Sequence, residues 1–179
     1  MATVLIVGGP AGTGKTTIAS LLAESKACPF VEGDTLHPQA NVDKMARGEP
    51  LTDEDRWGWL KELSEICSKE AVSKENATHT VVASCSILKK VYREYIVECG
   101  LPEVTFKFVF LKSTFEQLME RVANRKNHFM KVDMVKSQYD IMEIPQGEEL
   151  IANGGSALAV ETTDKTPEAI LQEVLAALK

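Results

Sequence analysis

The feature that most constrains the fold is an apolar run that leads into a glycine-rich loop and then into a helical pattern. Residues 3–7 are continuously apolar and β-branched and stop at two glycines, which is typical of a strand buried on both faces of a parallel sheet. From residue 15 onward, apolar side chains recur with the helical period at Ile18, Leu21 and Leu22. The chain therefore begins with a strand, a loop and a helix.

The rest of the sequence repeats this alternation. Further strands are predicted at residues 30–31, 80–83, 104–111 and 157–160, and further helices at 37–47, from 52, at 88–99, at 114–125 and from 166. Thr52 with Asp55 three residues later predicts a capping box. Together these elements predict one α/β domain over residues 1–179, with a five-stranded parallel sheet covered by helices on both faces. The long irregular stretch, residues 126–155, is predicted to be a mobile lid segment.

The glycine-rich loop, residues 9–16, reads GPAGTGKT and matches G-x-x-x-x-G-K-[ST] in full. Its backbone amides and the positive end of the following helix can hold phosphate oxygens. Lys15 can reach the β- and γ-phosphates, and the Thr16 hydroxyl can ligate Mg²⁺. The loop predicts a nucleoside-triphosphate site, with ATP and Mg²⁺ held by Gly9, Ala11, Gly12, Thr13, Gly14, Lys15, Thr16 and Thr17.

Composition limits the partners and the location. The net charge of −6 argues against a nucleic-acid or membrane-surface binder, since such proteins need a positive field. Four cysteines lack metal-binding spacing and indicate reduced thiols in a cytoplasmic chain. The apolar run near the N-terminus is too short for a signal peptide or membrane span, which also favours the cytoplasm.

Asp34 follows the second predicted strand. Ligands of parallel α/β sheets bind beyond the carboxyl ends of the strands, so Asp34 should lie on the same rim as the phosphate loop. A carboxylate there can orient an acceptor hydroxyl toward the γ-phosphate and hold a Mg²⁺-bound water. Gly33 and Asp34 could equally form a turn with Asp34 as a helix cap, and the pattern by itself leaves both interpretations open.

The blocks around Asp34 resemble the gluconokinase family, a group of small-molecule kinases built like shikimate and adenylate kinases. They are GDTLHP at 33–38, NVDKM at 41–45, GEPLTDEDR at 48–56, WL at 59–60, CSILKKVYR at 85–93 and RKNHF at 125–129. The resemblance extends from the phosphate loop to about residue 145. It departs at Ile87, at Asn127 and at 52–55, where the family usually has Ala, Gly and Asn-Asp-Asp-Asp.

The resemblance implies ATP-dependent phosphorylation of D-gluconate at its 6-hydroxyl to give 6-phosphogluconate. Its substrate site would consist of Asp34, His37, Lys44, Arg56, Ser86, Lys89, Arg93 and His128. Paired N–H donors of Arg56 and Arg93 would take the carboxylate. Arg56 could instead pair with neighbouring aspartates, Ser86 could cap its own helix, and the sequence leaves open whether Lys89 or Lys90 faces the site.

A basic run lies at the end of the fifth predicted helix and at the start of the long irregular stretch; it consists of Arg121, Arg125, Lys126, His128 and Lys131. In the related kinases such a segment closes over ATP, and an arginine reaches the transferred phosphoryl group. We expect Arg125 to take that role, joining Lys15 and Asp34 as the catalytic set, with Arg121 near the nucleotide. Part of the run is also explained by cations favoured at a helix C-terminus.

Two other functions fit the same residues less well. One is another small-acid kinase, such as a shikimate kinase, which would need a different substrate block after Asp34. The other is an ATP-binding sensor without turnover. The resemblance is compatible with a homodimer, because dimers occur in that family, and the sequence itself leaves the oligomeric state open.

Overall fold

A five-stranded parallel sheet lies at the centre of the computed structural model, which describes residues 1–124 and 132–179. Its strands are β1 (Ala2–Gly8), β2 (Phe30–Glu32), β3 (Thr80–Ser84), β4 (Val104–Lys112) and β5 (Ala157–Glu161). They pair in the order β2-β3-β1-β4-β5, and every pair is parallel. The predicted α/β class, strand number and parallel arrangement are confirmed.

Helices connect these strands. They are α1 (Lys15–Ser25), α2 (Gln39–Ala46), α3 (Asp53–Val72), α4 (Lys90–Cys99), α5 (Phe115–Ala123), α6 (Val132–Ile141) and α7 (Pro167–Ala177). The predicted capping box is confirmed, because the Thr52 side chain accepts from the Asp55 amide and the Asp55 side chain accepts from the Thr52 amide. Among the described helices, none is both long and apolar enough to cross a membrane.

The central strand β1 is buried on both faces, as its continuous apolar run predicts. Val4 and Ile6 pack into one core with α3 and α4, whereas Leu5 and Val7 pack into a second core with α1 and α7. A smaller cluster joins the phosphate loop to α5 and α6; it consists of Ala11, Leu118, Val122 and Val135. The two sheet cores fix the strands, and the third cluster fixes the loop at their carboxyl ends.

The prediction of one irregular stretch over residues 126–155 is wrong for its described part. Residues 132–141 form α6, and the next residues are fixed on α4 through a Glu143 carboxylate that accepts from the Lys90 amide at 2.9 Å. The helix escaped prediction because its apolar period is short, with Met134, Val135 and the polar Gln138 buried on its inner face. Residues 125–131 lie outside the described part, so the lid stays a prediction.

Candidate active site

The phosphate loop has a fixed shape that glycine makes possible. Gly9 has φ +131°, and a Cβ there would lie 2.2 Å from the Leu111 carbonyl oxygen. Its amide donates to the Ser86 carbonyl at 3.0 Å, and the buried Thr13 hydroxyl donates to the Pro10 carbonyl at 2.9 Å. The loop is therefore held in its conformation by the protein itself.

A pocket of about 100 Å³ lies over this loop. Its lining consists of Ala11, Gly12, Gly14, Lys15, Thr16, Thr17 and Asp34. Helix α1 begins beneath it without a side-chain cap, which leaves its first amides for an anion. Two predicted residues do not line the pocket: the Gly9 amide is taken by Ser86, and the Thr13 side chain closes the loop.

Asp34 lies in a 3-10 turn, Gly33–Leu36, directly after β2. The turn packs closely on β3, since a Cβ at Gly33 would lie 2.1 Å from the Ser84 carbonyl oxygen. This close approach brings the Asp34 side chain to the edge of the phosphate pocket. The structure thus places Asp34 on the same rim as the phosphate loop, as predicted.

A second cavity, of about 280 Å³, adjoins the phosphate pocket. Five of its lining residues belong to the predicted site: Lys15, Asp34, His37, Arg56 and Ser86. The others were not predicted to bind substrate; they are Val42, Met45, Ala46, Leu51, Trp59, Met134 and Gln138. Lys15 and Asp34 line both cavities, so the two spaces meet at these two side chains.

Arg56 is the buried cation of the second cavity. Only 6% of the residue is exposed, and its Nη1 donates to the Tyr92 hydroxyl at 2.8 Å. Tyr92 in turn donates to Asp53, which also accepts from Lys89 at 3.1 Å. These hydrogen bonds, from Tyr92 first and then Lys89, lower the pKa of Asp53. Arg56 therefore does not form the direct ion pair with its neighbouring aspartates that the sequence left open.

Three cations assigned to the substrate by resemblance are engaged elsewhere. Lys44 pairs with Asp55 at 2.7 Å and Lys89 pairs with Asp53, and neither lysine lines the cavity. Arg93 also lies outside the lining, because its buried guanidinium pairs with Glu149. The sequence could not reveal these partners, which come from other elements of the fold. The role of these three residues as direct substrate ligands stays a prediction.

His37 forms one wall of the cavity and is held on two sides. Its ring stacks on the Trp59 ring with centroids 3.9 Å apart, and Trp59 Nε1 donates to the Gly33 carbonyl at 2.7 Å. Its Nδ1 lies 3.3 Å from Asn41 Nδ2. Burial lowers the pKa of the His37 imidazole. Trp59 thus contributes to the site, because it stacks on His37 and lines the cavity.

Comparison with known proteins identifies the family to which this chain belongs. A family model described as shikimate kinase matches residues 11–179. The sequence is 45% identical over 148 residues to a probable gluconokinase of Schizosaccharomyces pombe, covering 82% of this chain and 75% of that protein. It is 37% identical over 171 residues to a gluconokinase of Gluconobacter oxydans, covering 96% of this chain and 88% of that one. This chain belongs to the gluconokinase family.

A solved gluconokinase structure, from Sinorhizobium meliloti 1021, matches the fold with a TM-score of 0.80. The two chains are 37% identical, and the match covers 98% of this chain and 91% of the other. As a gluconokinase-family member this protein is a kinase with the P-loop kinase fold, and ATP is the substrate that kinase chemistry implies. The resemblance drawn from the sequence blocks is confirmed.

Glu32 is a residue of this gluconokinase-family site that the sequence prediction missed. Its carboxylate accepts from the Thr16 hydroxyl at 2.9 Å and from the Ser84 hydroxyl on β3. Thr16 thereby directs its proton toward Glu32 and keeps its oxygen lone pairs for a cation. The sequence signal was a second carboxylate directly after the same predicted strand, two residues before Asp34.

Arg121 reaches the phosphate loop, where its Nη1 donates to the Gly12 carbonyl at 2.9 Å. This places it beside the predicted nucleotide pocket of the gluconokinase-family fold. The predicted catalytic Arg125 and the predicted substrate ligand His128 lie outside the described residues.

Proposed function

We propose that this kinase transfers the γ-phosphoryl group of ATP to the 6-hydroxyl of D-gluconate, giving ADP and 6-phosphogluconate. One observation carries the proposal: the phosphate pocket and the 280 Å³ cavity share Lys15 and Asp34. A phosphoryl donor over the loop and an acceptor in the cavity would meet at these two residues. Phosphoryl transfer depends mainly on such positioning and on charge compensation.

Lys15 and Asp34 take complementary parts in this reaction. The Lys15 ammonium, with the amides of the loop and of the first turn of α1, holds the negative phosphate oxygens. The Asp34 carboxylate accepts a hydrogen bond from the attacking hydroxyl, orients it and takes its proton as the bond to phosphorus forms. Arg125 is proposed to join the transferred phosphoryl group from the segment outside the described residues.

The cavity suits a small polyol acid. Its volume is at the low end for ligand pockets, which favours a sugar acid over a drug-sized molecule. The guanidinium of Arg56 is the buried cation available to the gluconate carboxylate, and His37 and Ser86 offer hydrogen bonds to its hydroxyls. Apolar side chains of α2 and α6, among them Val42, Met45 and Met134, bound the remaining wall.

The residues present also fit Mg²⁺. The described part of the chain has no cluster of three acidic, histidine or cysteine side chains that would form an all-protein metal cage. Mg²⁺ usually binds phosphates and waters with few protein ligands, and the Thr16 hydroxyl with Asp34 nearby supplies that arrangement. When bound, the ion would neutralise charge on the phosphates. Glu32 would orient the Thr16 hydroxyl toward it.

ADP release from Mg-ATP tests the proposal with a panel of acceptors: D-gluconate, shikimate, glycerate, nucleoside monophosphates and none. We expect a signal with gluconate that Lys15→Met abolishes. A signal with shikimate or another acceptor instead would keep the kinase and overturn the substrate assignment. Tight ATP binding without ADP release for any acceptor would favour the sensor.

A further inference from the structure

The buried side chain of Asn41 lies within hydrogen-bond distance of the His37 ring. Asn41 lies on α2, is 4% exposed, and its Nδ2 donates to the Asp55 carbonyl at 2.8 Å. A carbonyl oxygen only accepts, so this bond sets which end of the Asn41 amide carries the hydrogens. The same Nδ2 faces His37 Nδ1 at 3.3 Å.

An amide nitrogen of this kind donates and does not accept. His37 Nδ1 must therefore be the unprotonated nitrogen of the ring, and the ring hydrogen must be on Nε2. Among the described residues the ring makes no other hydrogen bond, so Nε2 is the nitrogen left for a ligand in the cavity that His37 lines.

We propose that Asn41 is a positioning residue that holds His37 as the neutral Nε2–H tautomer, so that His37 donates a hydrogen bond to a substrate hydroxyl and does not serve as a base. The identity of that hydroxyl rests on the proposed gluconate kinase function. The tautomer does not, because it follows from Asn41 and Asp55 alone.

The surroundings of His37 agree with a neutral ring. Stacking on Trp59 covers one face and fixes the plane of the imidazole. The charged groups that face it are Asp34 in the turn after β2, Arg56 on α3 and Lys15 at the start of α1. Burial and the two cations disfavour the imidazolium, and Asp34 alone favours it.

Asn41→Asp reverses the constraint. A carboxylate cannot donate to Nδ1, so it would draw a hydrogen onto that nitrogen and favour the imidazolium. Asn76→Asp is the matched control, because Asn76 is 5% exposed and its Nδ2 also donates to backbone carbonyls, those of Glu70 and Thr80. Asn76 follows the C-terminal end of α3 and does not line the cavity.

Nitrogen-detected imidazole NMR of the full chain across a pH series reads the tautomer directly, and the His37 signals are assigned with His37→Gln. We expect Nε2–H in the wild type and in the control protein carrying Asn76→Asp. In Asn41→Asp we expect a gain of Nδ1–H with a higher titration midpoint. A wild-type ring protonated on Nδ1, or a tautomer unchanged by Asn41→Asp, would overturn the proposal.

Should Asn41→Asp fail to fold, Asn41→Ser provides the second variant. It removes the amide donor without adding charge, and we expect a mixture of the two tautomers where the wild type has one. In turnover assays Asn41→Ser should lower kcat/KM for gluconate by about twofold, because roughly half of the His37 rings then lack the Nε2–H donor, with the KM for ATP unchanged. If no acceptor supports turnover, the substrate proposal fails while the NMR result still decides the tautomer.

Discussion

Arg93 and Glu149 form a pair through two parallel hydrogen bonds, Nε to Oε2 at 2.9 Å and Nη2 to Oε1 at 3.0 Å. The guanidinium also donates to the carbonyls of Ile87 and Glu143, so it joins α4 to the chain that follows α6. The Arg93 side chain is 3% exposed and that of Glu149 is 19% exposed. This pair is part of the framework that supports the cavity.

Glu149→Ala should therefore destabilise the fold. Leaving the buried guanidinium without its partner should cost about 3 kcal/mol in the free energy of unfolding, measured by urea denaturation. Glu49→Ala is the control, because its pair with Arg47 is long and exposed on both sides; we expect a change below about 0.5 kcal/mol. A large rise in the gluconate KM without loss of stability would instead support Arg93 as a substrate ligand.

Tyr92→Phe should weaken gluconate binding through Arg56. The substitution removes the hydroxyl that accepts from Arg56 at 2.8 Å and donates to Asp53. The guanidinium then loses a fixed position, and the KM for gluconate should rise by about 3- to 10-fold while the KM for ATP stays the same. Tyr95→Phe, on the same helix but outside the cavity, should change neither KM. Equal effects on both KM values would contradict a positioning role.

Asp34→Asn should separate nucleotide binding from turnover. The amide keeps the shape of the side chain but is a poor proton acceptor, so kcat should fall by about 100-fold or more. ATP binding, measured by calorimetry, should stay near the wild-type value. Asp43→Asn, on the exposed face of α2, is the control. Turnover near the wild-type rate would make Asp34 a structural turn residue.

The capping box of α3 should contribute stability that depends on pH. Hydrogen bonds from Lys44 and then from the Thr52 amide lower the pKa of Asp55 from 3.8 to about 2. Because the folded pKa is the lower one, this contribution is present above about pH 4 and is lost as the pH falls toward 2. Asp55→Asn should therefore lower Tm at neutral pH, and the difference from wild type should shrink over that window.

Lys44→Gln tests whether the ion pair with Lys44 is the cause of this pH-dependent stability. It removes the first partner of Asp55 and should reduce the part of the stability that disappears between about pH 4 and pH 2. Thermal melts in a series of buffers measure it. A difference between variant and wild type that is constant with pH would show that the carboxylate charge of Asp55 is not involved.

Local patterns in the sequence were enough for the elements and for the phosphate loop. The apolar run of β1 and the period of α1 depend on each residue's own neighbours, as does the pair Thr52 and Asp55 at the start of α3. Helix α6 was not predicted, for a corresponding reason. Its buried face includes the polar Gln138, which accepts from the Ala11 amide of the loop at 2.8 Å. That face of α6 carries both apolar and polar residues because it borders the candidate active site.

The sequence by itself determined the parallel α/β fold and the phosphate loop, because each follows from spacing along the chain, but it left open whether Asp34 is a turn residue or a site residue. Only the tertiary structure decided that Asp34 lies beside the phosphate loop and which cations line the second cavity. Lys44, Lys89 and Arg93 meet carboxylates from other elements, whereas Arg56 meets a neutral hydroxyl and lines the cavity. A charge is free or neutralised according to what lies within a few ångströms of it, and that neighbour is set by the packing of distant segments.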